Sequence, residues 1–95
     1  MTKITKFKDI TEQMLDTYIK KNHDYGDSFS NTVKTFGPVA GVVRISDKFE
    51  RLKQLSLKKE HYVKESIEDT LLDLANYSIM LLMELEESKN DNQNQ

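Results

Sequence analysis

Residues 65–85 read ESIEDTLLDLANYSIMLLMEL. Residues 74–83 contain no charged side chain, and a helix that is apolar on every side must be buried. Before them, Glu65, Asp69 and Asp73 follow one another at four-residue steps, which places them on one helical face. Carboxylates that enter an interior need a partner or a cation, and Mg2+ is the natural candidate.

The composition predicts one globular domain that is completed by a second copy. The chain has 95 residues, of which 32% are charged and 37% are apolar. A core of this size is marginal alone, so we expect a homodimer or a homotetramer. The net charge of −2 argues against direct binding to duplex nucleic acid. A protein regulator is a further candidate partner.

The sequence also predicts where the protein resides. It has no cysteine, which fits a reducing cytoplasm and excludes disulfides. The first ten residues lack an apolar signal core, and no uncharged run approaches the ~20 residues that span a bilayer. We therefore expect a cytoplasmic protein with no membrane partner, in the host cytoplasm if it is viral.

Apolar residues recur at three- and four-residue steps, which predicts an all-α bundle of three long helices and one short one. Gly37 and Pro38 separate the short helix from the next, and Pro38 suits the first turn of a helix. The tail SKNDNQNQ lacks apolar anchors and is predicted to be disordered, which leaves a single domain over residues 1–87. The predicted helices span residues 5–21, 29–36, 39–55 and 64–87.

A second acidic pair lies on the third predicted helix, where Asp47 and Glu50 are three residues apart. Carboxylates from two packed helices can hold Mg2+, or Mn2+, which can bind phosphate oxygens and polarise a water. In the alternative, Asp47 pairs with Arg51 and Glu50 with Lys53 on a solvated face. The acids that the two helices offer are Asp47, Glu50, Glu65, Asp69 and Asp73.

Several residues suit contacts with a nucleotide. Asn76 shares a wheel sector with Asp69 and Asp73, and its amide can bond to a base or a sugar, or else lie satisfied in the bundle. Tyr25 can stack on a base from the turn after the first helix, or fill the core. Lys48 and Arg51 can neutralise phosphates, or remain solvated. The candidate substrate contacts are Asp24, Tyr25, Lys48, Arg51 and Asn76.

Three motifs in order carry a family resemblance: KKNHDYGDSF at residues 20–29, RISDKFERLKQL at 44–55 and the stretch at 65–85. Together they resemble the nucleotide-modification-associated domain one family of phages and bacteria. That family looks like a branch of the MazG-like all-α nucleotide pyrophosphohydrolases. The resemblance implies an oligomeric bundle that binds Mg2+ through an E-x-x-E pair on one helix and an E-x-x-D pair on the next.

Carried onto this chain, the resemblance implies a set of ligands. Asp47 and Glu50 match the first pair, with Asp in place of the leading Glu. Asp73 matches the final Asp, but Thr70 occupies the position of the acid before it, so Asp69 must substitute. The implied metal ligands are therefore Asp47, Glu50, Asp69 and Asp73.

The resulting expectation is a Mg2+-dependent nucleoside triphosphate pyrophosphohydrolase, which converts an NTP or dNTP to NMP and pyrophosphate. Glu50 and Glu65 are its candidate catalytic residues, with Glu65 as general base or an extra ligand. The alternative is a non-catalytic helical oligomer that binds a nucleotide or a regulator. A helical oligomer without any ligand is a third reading, but it leaves Asp69 and Asp73 uncompensated.

Overall fold

A computed structural model describes residues 2–25, 27–58 and 66–93, and these residues form helices and no strand. The predicted all-α class is therefore confirmed. The last helix begins three residues later than predicted and continues through residues 88–93, which we had expected to be disordered. Each residue added to an existing helix gains a backbone hydrogen bond at low cost. The helices are α1 (Lys3–Tyr25), α2 (Ser28–Phe36), α3 (Val39–Leu57) and α4 (Ile67–Gln93).

The antiparallel pair of α3 and α4 is the centre of the fold. Gly41 is buried and faces Leu81, and a Cβ atom added to it would lie 2.6 Å from Leu81 Cδ1. Toward the other end of the pair, Lys48 contacts Asp73. The missing side chain of Gly41 thus lets the two helices approach closely, which sets the face that α3 turns toward α4.

That face differs from the apolar stripe that the sequence predicts for α3. The spacing of apolar residues predicts a buried stripe of Val42, Ile45, Phe49 and Leu52. Ile45 and Leu52 are half-buried, whereas Val42 and Phe49 are 53% and 52% exposed. The contacts of Gly41 and Lys48 show that α3 is turned so that one edge of the predicted stripe faces away from α4.

A sharp corner joins α2 to α3 and presses α2 against α4. Gly37 has φ 88°, a left-handed conformation that favours glycine, and its N–H donates to the Val33 carbonyl at 2.7 Å. Pro38 follows as the N-cap residue, directly before the first residue of α3. The corner allows α2 to bury Phe29, whose ring stacks on Tyr77 of α4 with a centroid distance of 5.7 Å.

Helix α4 begins with a side-chain cap that our sequence reading overlooked. The Ser66 hydroxyl accepts a hydrogen bond from the Asp69 backbone N–H at 3.0 Å. The negative charge of an acid in the first turn also interacts favourably with the positive end of the helix dipole. Asp69, which the sequence predicted as a metal ligand, is exposed here and belongs to the helix start.

We expect Ser66→Ala to lower the free energy of unfolding by about 0.5–2 kcal/mol, because the first turn of α4 loses its cap. Urea denaturation followed by circular dichroism measures the change. Ser56→Ala is the matched control, since the Ser56 hydroxyl donates to a carbonyl inside α3 and caps nothing. Equal losses in the two variants would contradict the capping role.

Helix α1 is held at one end and uncovered at the other. Met14 is its buried apolar residue, whereas Ile4 and Phe7 are 83% and 72% exposed. The accessible surface of the chain is 7746 Å², against about 5,700 Å² expected for a compact monomer of this mass. Several large apolar side chains, Ile4 and Phe7 among them, therefore remain exposed in the chain. None of the described helices is long and apolar enough to cross a membrane.

Candidate functional site

All four helices meet around a cleft of about 140 Å³. Helix α1 contributes Tyr18 and Lys21, and α3 contributes Arg44. Helix α4 contributes several residues from its middle, Asp73 and Asn76 among them. The cleft therefore combines charged, amide and aromatic side chains that come from distant parts of the chain.

Asp73 is the electrostatic centre of the cleft. Its Oδ1 lies 3.3 Å from Lys21 Nζ, and its Oδ2 lies 3.0 Å from Lys48 Nζ. Asp73 and Lys48 are only 21% and 22% exposed, so water screens this pair less than a surface pair. The two ion pairs link α4 to both α1 and α3, and they occupy both carboxylate oxygens of Asp73.

An amide and aromatic rings line the cleft around this carboxylate. The Asn76 amide nitrogen donates to the Met14 carbonyl of α1 at 3.4 Å. Phe29 and Tyr77, which stack on each other, and Tyr18 supply the rings. Asn76 thus fills the structural role that we considered, and it also lines the cleft where a base or sugar could reach it.

The acids that the sequence assigned to a metal do not assemble in one protomer. Asp47 and Glu50 are exposed on α3, and Glu50 pairs with Lys53 at 3.3 Å, as the alternative reading predicted. Within residues 2–25, 27–58 and 66–93, no three His, Asp or Glu side chains are close enough to hold a metal ion. Glu65 lies outside the described residues.

The donor set therefore does not fit a preassembled Mg2+ site. Along a helix, successive residues are rotated by about 100°. Because Lys48 turns toward α4, Asp47 and Glu50 on either side of it turn elsewhere. The carboxylate that does enter the cleft, Asp73, already contacts two ammonium groups. A Mg2+ site remains a prediction from the sequence.

The remaining predicted contacts vary in their placement. Asp24 is exposed near the end of α1, where its Oδ1 lies 3.2 Å from His23 Nδ1. Arg51 is half-buried on α3. Tyr25 is the last residue of α1, and its predicted stacking on a base falls outside what the structure describes.

Residues 21–85 match the family model of nucleotide modification associated domain 1. The chain belongs to this family. Searches of curated proteins and of solved structures found no significant match.

The nucleotide modification associated region contains the main parts of the cleft. Its first residue is Lys21, its middle contains Arg44 and Lys48, and its last part contains Asp73 and Asn76. The three motifs that carry the resemblance thus converge on one place in the fold. Most of α1 lies before this region, including the uncovered Ile4 and Phe7.

Sequence reasoning missed Lys21 and the aromatic wall of the cleft. Lys21 lies at the end of the predicted first helix, where a lysine reads as solvated. The helical spacing from Tyr18 to Lys21 puts both on one side of α1, which is the available signal. In the sequence, Phe29 and Tyr77 look like ordinary core residues. Only their stacking beside Asp73 distinguishes them from other aromatic residues of the core.

Proposed function

We propose that this protein binds a nucleotide in the cleft around Asp73. The observation that carries the proposal is the meeting of cations, an amide and aromatic rings at one site. Lys21, Lys48 and Arg44 suit phosphate oxygens, whereas Tyr18 and Tyr77 offer ring surface to a base. The description of the family, which concerns nucleotide modification, supports the same class of ligand.

The cleft of a single chain is smaller than a whole nucleotide site. Its volume of about 140 Å³ is below the ~300–1,000 Å³ of typical ligand pockets, so one protomer encloses only part of a nucleotide. Two positive charges (Lys21 and Arg44) and two negative charges (Asp27 and Asp73) line the cleft, and Lys48 contacts Asp73 beside it. Lys21 and Arg44 can offer charge-assisted hydrogen bonds to an anionic ligand.

Self-association is the second part of the proposal. Ile4, Phe7 and Ile10 of α1 are exposed, and on α4 Leu71, Ile79 and Leu82 are about half exposed. The radius of gyration of 15.5 Å exceeds the ~12 Å expected for a compact domain of this length. A homodimer or homotetramer that pairs these faces accounts for both observations, and the MazG-like bundle is the arrangement that the sequence favours.

A Mg2+-dependent pyrophosphohydrolase is the second candidate function. The observation in its favour is Asp73, an acid that matches the MazG-like motif and lies in the cleft beside Asn76. Incubation with each NTP and dNTP in Mg2+, followed by separation of the products, tests it. Release of monophosphate and pyrophosphate would establish the enzyme, and intact nucleotides after prolonged incubation would exclude it.

We expect isothermal titration calorimetry to detect binding of at least one nucleotide, with one base preferred. Asn76→Ala should reduce that preference, because an amide discriminates bases by hydrogen bonds, each of which contributes about 0.5–1.5 kcal/mol. Asn31→Ala is the control, since Asn31 is exposed on α2 and does not line the cleft. If Asn76→Ala weakens every nucleotide equally, Asn76 acts only through its bond to α1.

A further inference from the structure

We propose that Lys21, Lys48 and Arg44 bind the nucleotide's phosphate directly, without a metal ion, and that Asp73 is the counterion that positions the two lysines. The inference rests on the proposed function and specifies how the cleft recognises its ligand. It assigns to Asp73 a role opposite to that of a metal ligand.

The first step of the argument is the charge around Asp73. Two ammonium groups lie 3.3 and 3.0 Å from its carboxylate oxygens. A divalent cation that bound Asp73 would have to displace or repel both lysines. Among the described side chains, no group of three potential metal ligands includes Asp73. The two ammonium groups beside Asp73 therefore favour an anion over a cation at this point.

The second step is the different freedom of the two lysines. Lys48 is 22% exposed and is held between α3 and α4, whereas Lys21 is 59% exposed at the cleft's edge. A lysine ammonium has three donors on a flexible stem, so Lys21 can contact both Asp73 and an incoming oxygen. Lys48 then provides a fixed charge and Lys21 a mobile one.

The third step is the placement of Arg44. It lies four residues before Lys48, so the two occupy neighbouring positions on one face of α3. Arg44 lines the same cleft as Lys21 and can offer a planar, bidentate contact to phosphate. A phosphate that carries up to two charges and three acceptor oxygens can engage all three cations. When the phosphate contacts these cations, the base lies next to Tyr18 and Tyr77, whose rings line the same cleft. The ligand class is thus a nucleoside with a phosphate group.

The experiment is calorimetric titration of the full chain with each common deoxynucleoside monophosphate, with the matching nucleosides, and with inorganic phosphate. Each titration is performed once in EDTA and once in Mg2+. We expect a monophosphate to bind equally well under both conditions. We expect the nucleoside to bind at least about tenfold more weakly, because charge-assisted hydrogen bonds to the phosphate are absent.

Lys21→Gln should lower the affinity for the monophosphate by about tenfold. Lys20→Gln should leave the affinity unchanged, because Lys20 pairs with Asp16 at 3.0 Å and does not line the cleft. Asp73→Asn should weaken the binding of the monophosphate by the same factor in EDTA and in Mg2+, because the lysines lose the counterion that positions them and no metal ligand is lost. Circular dichroism confirms folding, and if Asp73→Asn unfolds, the comparison of Lys21→Gln with Lys20→Gln decides.

Binding that requires Mg2+ and that Asp73→Asn abolishes would overturn the inference while leaving the proposed function intact. Equal affinity for a nucleoside and its monophosphate would do the same. If no nucleoside or monophosphate binds in either buffer, and the NTPs also fail to bind, then both the inference and the proposed function are wrong.

Discussion

We expect Phe7→Glu to convert the proposed oligomer into a monomer. Phe7 is 72% exposed in one protomer and shares the apolar side of α1 with Ile4 and Leu15. Burial of a phenylalanine contributes about 1.5–3 kcal/mol, and a twofold interface contains the residue twice. Its loss therefore weakens a dimer by at least about a hundredfold, and a buried carboxylate adds a further cost.

Light scattering at micromolar concentration measures this change. Gln13→Glu is the matched control, because it adds the same charge to the same helix on the side away from Phe7. The control should remain oligomeric. A wild-type chain that is folded and monomeric would refute self-association, and an oligomeric Phe7→Glu would place the interface away from the start of α1.

The second large effect concerns the close approach of α3 and α4. We expect Gly41→Leu to destabilise the fold by about 1–3 kcal/mol, because added atoms must displace Leu81 in a packed contact. For a domain of this size, that loss lowers the melting temperature by on the order of 5–20 °C. Gly41→Ala should be milder, since alanine's higher helix propensity, about 1 kcal/mol, offsets its contact with a terminal methyl group.

Thermal denaturation followed by circular dichroism compares these variants. Gln54→Leu is the control, because Gln54 is exposed on the same helix and leucine suits a helix there. If Gly41→Leu and Gln54→Leu have the same melting temperature, then the close contact of α3 with α4 tolerates a side chain at residue 41. In that case the rotation of α3 must be set by other contacts, such as that of Lys48 with Asp73.

Much of the fold follows from local sequence. The apolar periodicity of residues 39–55 predicts α3 almost to its ends, and Gly37 and Pro38 predict the corner before it. The prediction of where α4 begins was less accurate, because it missed the Ser66 cap. These features depend on backbone dihedral preferences and on the period of burial, which neighbouring residues determine.

Part of the candidate site was also predictable. Asp73, Lys48 and Asn76 were singled out by their chemistry and by the family resemblance, and all three lie at or beside the cleft. The partners of Asp73 were not predictable, because Lys21 precedes it by 52 residues and no local pattern relates the two. Such a pair forms only when α1 and α4 are packed together.

Local patterns are enough to predict that the chain is helical, where α3 runs, and that an acid enters the apolar part of α4. Which side chains contact that acid depends on how the helices pack. A sequence specifies which residues share a helical face but not how two helices rotate against each other. Here the close contact of Gly41 with Leu81 accompanies a rotation that turns Lys48, rather than Asp47 or Glu50, toward Asp73. A rotation of α3 about its axis by one residue, about 100°, thus decides whether a carboxylate or a lysine faces Asp73.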